Sequence, residues 1–408
     1  MDRPETKRGA GAAASLFLPD DAVEEILSRV PAKSLCRFKC VSKGWRGLIS
    51  DLLRRKQLPQ TLEGFFYYAY SDDGYGGSPR VVQWRFINTL GRSVTLVDPS
   101  FSFLLEQLTR TESIGLVQSC NGLLLFGRKR ILDKYYSLGY MVCNPATEQW
   151  ASVPSSGWTP FEYPGLSDSE EDDSGTGHRD FTVTYLIFDP AVSSHFQLVQ
   201  FGLDWTSNVR SCNTYSSETG VWSKAASKWD LHDGTMSVVG SAFVCGMLHL
   251  STTLFYTGQQ LIVAVDGEGR KCRTMSWSED HGDAVFIGQS QGRLHYMTQP
   301  DNNNSDTPEL CVWVLEYYEA EKWVLKHRVS LLQLLGRTCC RATFDYGVVA
   351  IHPDRSVLFF VQHWDGKLKS YGMDSNEVCT VRSLGQGTRS VVPYVPYFAE
   401  SLAFADKH

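Results

Sequence analysis

The sequence predicts a mainly β protein that begins with a small helical segment. Apolar residues recur at helical spacing only near the start, and from about Thr61 onward short apolar runs alternate with turns. Aromatic residues make up 12% of the chain and 34 residues are Gly, which is typical of many short strands and tight turns. Charge also divides the chain: residues 1–60 hold 12 Lys and Arg against 7 Asp and Glu, and residues 61–408 hold 27 against 38.

The helical segment is expected to span residues 15–57, after a polar, Ala/Gly-rich stretch over 1–14 that is expected to be disordered. Three helices fit the apolar spacing: Asp21 can cap the first, Pro31 ends it, and Ser42 can cap the third. Three helices in about 40 residues cannot bury all their apolar groups among themselves. These groups can be covered by the chain's own C-terminal part or by a partner protein.

A dense series of short motifs runs through this segment. In order they are Leu18-Pro19, Ile26-Leu27, Val30-Pro31, Leu35, Val41-Ser42-Lys43 with Trp45, and Leu48-Ile49. This run, Leu18–Asp51, resembles an F-box, with Val30 where that family more often has Leu. The resemblance implies docking on a Skp-type adaptor, which links the chain to a cullin scaffold. It assigns adaptor binding to the following apolar residues: Leu18, Pro19, Ile26, Leu27, Val30, Pro31, Leu35, Val41, Trp45 and Leu48.

The remainder of the chain repeats one unit of two consecutive hairpins. In four copies an apolar strand is followed by a turn, a second apolar strand and a further hairpin. The first strands of these copies are Ile114–Ser119, Ser241–Val244, Val285–Gly288 and Val348–Ile351. Four antiparallel strands joined by short loops are typical of a propeller blade, and the repeat length is close to the roughly 50 residues of kelch-like blades.

Two further units complete a predicted ring of about six blades over residues 62–404. One covers Phe181–Trp222, and residues 62–100 can supply the other. The final strand-like run, Val391–Phe398, can close the ring against the first strands, which removes exposed sheet edges.

Two turns of the first copy carry a second resemblance. Ser119-Cys120-Asn121-Gly122-Leu123 and Cys143-Asn144-Pro145, followed by Thr147 and Trp150, are similar to the F-box-associated domain of plant F-box proteins. This resemblance implies a propeller that recognises the protein to be degraded. It provides no catalytic residues and does not identify the residues that bind the target.

An acidic loop is expected over residues 164–180, around the run Ser167–Ser174. A solvated, disordered loop is the plainer interpretation. The alternatives are a binding segment for a basic partner and a phosphorylation site.

The sequence shows no motif for a metal site, a cofactor or a catalytic group. His249 and His295 occupy matching places in two repeats and are interpreted as strand residues of the blades. The net charge of −6 and the lack of a basic stripe with aromatics argue against nucleic-acid binding. No apolar run reaches membrane-spanning length. The 11 Cys, an odd number without regular spacing, favour free thiols inside the cell.

Together the two resemblances imply a non-catalytic substrate-recognition subunit of an SCF-type E3 ubiquitin ligase. The helical segment binds the adaptor, the propeller binds a target protein, and the expected location is the nucleus or cytoplasm, where the family's partners occur. A propeller enzyme or carbohydrate-binding module with an incidental helical segment is one alternative. A cullin-independent F-box scaffold is the other.

Overall fold

The fold is described from a computed structural model, in which the chain divides into two compact units, Met1–Pro59 and Gln60–His408. The structure describes residues 22–23, 26–27, 38, 41–54, 61–70, 82–89, 97–131, 137–159, 180–204, 206–225, 234–236, 239–254, 257–277, 281–300, 308–338, 340–385 and 390–397. The predicted disordered stretch 1–14 and nearly all of the predicted acidic loop 164–180 lie outside these residues.

In the first unit, helix α1 spans Lys43–Arg54. The hydroxyl of Ser42 accepts a hydrogen bond from the backbone N–H of Trp45 at 3.1 Å, and Arg46 N–H donates to Ser42 O at 3.0 Å. Ser42 therefore caps the helix, as predicted, because its side chain satisfies a backbone donor that lacks an intrahelical partner. Most of residues 15–40 lie outside the described residues, so a three-helix segment stays a prediction.

The second unit is a six-bladed β-propeller, which confirms the propeller part of the predicted fold class. Within the described residues, 24 strands form six antiparallel sheets. The strands are β1 (Gly64–Tyr70), β2 (Val82–Asn88), β3 (Glu112–Cys120), β4 (Leu123–Arg130), β5 (Ser137–Asn144), β6 (Gln149–Pro154), β7 (Phe181–Ile187), β8 (Gln197–Leu203), β9 (Val209–Ser216), β10 (Val221–Lys224), β11 (Gly234–Met236), β12 (Ala242–Val244), β13 (Met247–Leu254), β14 (Gln260–Asp266), β15 (Cys272–Ser276), β16 (Asp283–Ser290), β17 (Arg293–Gln299), β18 (Glu309–Tyr317), β19 (Lys322–Ser330), β20 (Tyr346–Ile351), β21 (Val357–Gln362), β22 (Lys367–Gly372), β23 (Glu377–Ser383) and β24 (Val391–Tyr394).

Blade 1 joins the two ends of this unit. Its strand order is β2-β1-β24, with Gly64 opposite Tyr394 and Tyr67 opposite Val391. Blades 2, 3, 5 and 6 are the consecutive sets β3–β6, β7–β10, β16–β19 and β20–β23. The C-terminal strand therefore closes the ring as predicted, so the strand edges at both ends of the unit are paired.

Blade 4 departs from the predicted four strands. Strand β11 pairs with the far end of β13, where Gly234 lies opposite Leu254, while β12 pairs with the near end of β13. The sequence prediction began this blade at Ser241 and missed β11. A three-residue Gly-Thr-Met strand is too short to show an apolar period.

One strand of each blade lies near the centre of the ring and contacts the corresponding strands of neighbouring blades. Strand β24 contacts β3 and β20, β3 contacts β7, and β16 contacts β12 and β20. Gln118 on β3 ties this centre together: its Oε1 accepts from Leu186 N–H at 2.6 Å, and its Nε2 donates to Ser241 Oγ at 2.9 Å. One side chain thereby links blades 2, 3 and 4.

The core consists of apolar clusters between neighbouring blades. On β4, Leu123 and Leu125 pack toward blade 3, whereas Leu124 and Phe126 pack toward blade 1. Successive side chains of a strand point to opposite faces, and both faces of this sheet are covered. This explains why the blade strands appear in the sequence as continuous apolar runs rather than alternating ones.

Two short helices lie in the connections between blades. Helix α2 spans Ser102–Leu105 and precedes blade 2, and helix α3 spans Leu331–Leu335 and precedes blade 6. Ser330 caps α3 by accepting a hydrogen bond from Gln333 N–H at 3.2 Å.

Candidate functional site

The first candidate surface is the apolar part of the N-terminal unit. Trp45 is half-buried and meets Phe38 edge to face, with the ring centroids 5.6 Å apart. Ile26 is 49% exposed and Val41 is 65% exposed. Exposed aliphatic side chains on so small a unit mark a surface that a partner can cover.

The other predicted adaptor-binding residues have different placements. Leu27 is fully buried and Leu48 is half-buried. Ile49, the second residue of the Leu48-Ile49 motif, is fully buried as well. Leu27 and Ile49 therefore support the fold of the unit, while Ile26 and Val41 are accessible to a partner. Five predicted residues lie outside the described residues: Leu18, Pro19, Val30, Pro31 and Leu35.

The two turns that resemble the F-box-associated domain meet at the C-terminal segment. The hydroxyl of Ser119 donates to Pro393 O, and Asn144 Nδ2 donates to Tyr397 O at 2.8 Å. Gly122 has φ +91°, and a Cβ there would collide with Tyr397. These residues fasten blade 2 to the closing segment of the ring, so their role is structural.

Asn121 connects the same turn of blade 2 to blade 3. Its Nδ2 donates to Phe188 O at 2.6 Å, and its φ of 45° precedes the positive φ of Gly122. Two consecutive residues with positive φ form the tight hairpin turn for which Asn-Gly is favoured. The turn thus joins β3 to β4 and also contacts the next blade.

The two histidines at matching places in the repeats, His249 and His295, lie on blade strands. His249 is fully buried, and its Nε2 lies 2.9 Å from Tyr318 Oη. Burial lowers the pKa of His249 to about 4 and also lowers the pKa of half-buried His295. Both pack as strand residues, as predicted, and both are neutral near pH 7.

No group of three or more His, Cys, Asp or Glu among the described residues is placed to hold a metal ion. No helix in the described ranges is long and apolar enough to span a membrane.

An open cleft of about 420 Å³ lies where the turns of blade 6 meet a turn of blade 5. Burial raises the pKa of Asp354 in its wall. Its lining is polar and holds no nucleophile paired with a base: Gln291, Asp354, Arg355, Ser356, Val357, Gly372, Asp374 and Ser375.

The ends of the blade 6 strands that face away from this cleft form the second candidate surface. Residues 340–345 and the turn 363–366 meet there, because His363 N–H donates to Asp345 O at 2.9 Å. Arg337, Arg341 and Phe344 are exposed on this side. The sequence analysis did not single them out, since no local motif marks them.

Comparison with known proteins assigns both units. Residues 16–57 match the F-box domain, and residues 85–382 match the family described as "F-box protein At3g26010-like, beta-propeller". The Arabidopsis thaliana F-box protein At5g07610 is 25% identical over 347 residues, which cover 76% of this chain and 70% of that protein. The F-box protein At5g49610 of the same plant is 25% identical over 349 residues, covering 78% and 81%.

A solved structure, apo AztD from Citrobacter koseri, covers 82% of this chain and 98% of its own at 10% identity and a TM-score of 0.36. We base no conclusion on a likeness of this size. The propeller family model, in contrast, matches well over half of the chain, directly after the F-box. The chain therefore belongs to the family of At3g26010-like F-box protein β-propellers.

Proposed function

We propose that this chain is the substrate-recognition subunit of an SCF-type E3 ubiquitin ligase. The F-box docks on a Skp-type adaptor, the adaptor joins it to a cullin scaffold, and the propeller holds the target protein. One observation carries the proposal: an F-box match over 16–57 is followed in the same chain by a match over 85–382 to a propeller family of F-box proteins.

In this role the chain itself makes and breaks no bond. By holding the target beside the ubiquitin-loaded enzyme, it raises the effective concentration of a target lysine. The proposal includes action in the nucleus or cytoplasm, where an adaptor and a cullin are available. We also propose that the blades are of the kelch-like type.

The exposed aliphatic residues of the N-terminal unit supply a physical reason for adaptor binding. Fully burying an aliphatic side chain contributes about 1.5–3 kcal/mol. Ile26 and Val41 are 49% and 65% exposed, so covering both in an interface gains roughly half of that range for each. Leu18, Pro19, Val30, Pro31 and Leu35 are proposed adaptor contacts from the resemblance alone.

The test compares surface variants of the full-length chain for binding to a purified Skp-type adaptor by isothermal titration calorimetry. Ile26→Ser combined with Val41→Ser is expected to weaken binding roughly 10- to 100-fold, since about 1.4 kcal/mol corresponds to ten-fold. Val192→Ser is the matched control, because Val192 is 83% exposed in the propeller unit and should not affect the adaptor.

Circular dichroism of each variant checks that the fold is retained. Leu27→Ser is unsuitable as a test, because Leu27 is fully buried and its loss would disturb the unit itself. Failure of the wild-type chain to bind the adaptor, or equal binding by the double variant and wild type, would contradict the proposed function.

A further inference from the structure

A cationic and aromatic surface lies between blades 5 and 6. It consists of Arg337, Arg341, Phe344 and Trp364, and we name it the Arg/aromatic patch. The guanidinium carbon of Arg337 lies 4.3 Å from the ring centroid of Trp364, and that of Arg341 lies 5.0 Å from the ring centroid of Phe344. Phe344 is 71% exposed, which is unusual for so large an apolar side chain.

Hydrogen bonds from backbone and side-chain groups support this surface. Asp345 Oδ2 accepts from Arg341 N–H at 2.8 Å, and Asp345 N–H donates to Arg341 O at 2.9 Å. His363 binds the same loop, with Nδ1 2.9 Å from Phe344 O. Trp364 packs against the core between blades 5 and 6. The exposed ring is therefore presented by an ordered loop, which lowers the entropy cost of binding.

The guanidinium groups of the patch contact aromatic rings rather than carboxylates of the described residues. Neither Arg337 nor Arg341 forms an ion pair with a described carboxylate, and the Asp345 carboxylate accepts from a backbone N–H instead. The neighbouring Lys367, in contrast, is paired with Asp365 at 3.1 Å. Two guanidinium groups without a described carboxylate partner thus lie on the propeller unit, where residues 61–408 hold 38 Asp and Glu against 27 Lys and Arg.

We propose that the Arg/aromatic patch binds an acidic segment of the target protein in which an apolar side chain accompanies the carboxylates. The carboxylates would accept hydrogen bonds from Arg337 and Arg341, and the apolar side chain would cover Phe344. Carboxylates elsewhere on the acidic propeller unit would repel such a segment, which fixes its position on the patch. The proposal rests on the proposed function, because it names the surface by which the receptor holds its target.

An acidic peptide fits this surface better than a nucleic acid. Two guanidinium groups cannot follow a phosphate backbone across an acidic body, and the affinity of such an interface depends on several phosphate contacts. Two guanidinium groups beside one exposed aromatic ring suit a short segment with a few carboxylates.

The test is a selection of a displayed random linear peptide library on the immobilised full-length chain, followed by anisotropy titrations of the enriched peptides. We expect enriched peptides to carry Asp or Glu beside an aliphatic or aromatic residue. Arg337→Gln combined with Arg341→Gln is expected to weaken their binding about ten-fold, and Phe344→Ser to weaken it as well.

Arg355→Gln combined with Arg382→Gln removes the same charge from exposed positions elsewhere on blade 6 and should leave binding within about two-fold of wild type. The inference is overturned if no acidic peptides are enriched, or if the two double variants bind the peptides equally. Binding of a labelled single-stranded oligonucleotide that is lost in Arg337→Gln/Arg341→Gln, without acidic peptides, would also overturn it. Adaptor binding is measured on the same samples: its absence in wild type rejects the proposed function, whereas its presence with patch-independent peptides rejects only this inference.

Discussion

Removal of one buried ring tests whether the C-terminal strand is an integral part of blade 1. Tyr394 on β24 is fully buried, and its ring centroid lies 5.2 Å from that of Phe66 on β1. Burial of an aromatic side chain removes about 150–250 Å² from water, at roughly 25 cal/mol per Å². Tyr394→Ala is therefore expected to lower the free energy of unfolding by about 3–5 kcal/mol, the usual range for such truncations.

Guanidinium denaturation followed by tryptophan fluorescence measures this change. Tyr394→Phe should stay within about 1 kcal/mol of wild type, because it keeps the buried ring and removes only the hydroxyl group. Tyr317→Ala is the exposed control, since Tyr317 is 59% exposed and its ring contacts Lys322 in a cation–π interaction. If Tyr394→Ala unfolded at the same denaturant concentration as wild type, the closure of the ring by β24 would be refuted.

Two further predictions concern acid stability and thiol reactivity. Burial acts to raise the pKa of Asp204, but hydrogen bonds from Thr206, Asn208 and Arg210 outweigh it and hold the pKa below its ordinary value of 3.8. The carboxylate therefore adds stability above about pH 4, and this contribution fades as the pH falls through the lower folded-state pKa. Asp204→Asn should lower the free energy of unfolding by about 1.5–3 kcal/mol at pH 7 and by much less near pH 2. Urea titrations at both pH values would show this difference. In the native protein, mass spectrometry after thiol labelling should find modification at the exposed cysteines and protection, until unfolding, at the buried ones. The exposed group is Cys245, Cys272 and Cys379, and the buried group is Cys143, Cys212, Cys311 and Cys340.

The local pattern of apolar residues was sufficient to predict most of the fold. The run Leu123–Phe126 indicated an apolar strand, and the structure shows it buried on both faces between blades 1 and 3. The Asn121-Gly122 turn was recognisable because positive φ at both residues favours those residue types. Strand β11 was missed because three residues carry no period.

The surfaces depend on contacts between distant residues and were harder to predict. Asn144 and Tyr397 are 253 positions apart, so the hydrogen bond that joins the Asn144 turn to the closing segment of the ring became visible only in the structure. Arg337 meets Trp364 only because a turn of blade 6 reaches the connection from blade 5. In the F-box the apolar pattern indicated one face, but it could not separate the accessible Ile26 from the buried Leu27.

Native mass spectrometry of the full-length chain mixed with a purified Skp-type adaptor and a cullin tests the receptor assignment most directly. The account predicts one complex that contains a single copy of each protein, and Ile26→Ser/Val41→Ser should remove the chain from it while leaving the adaptor on the cullin. A complex of chain and adaptor that excludes the cullin would contradict the ligase assignment and favour a scaffold. Recovery of the wild-type chain alone would contradict adaptor docking itself.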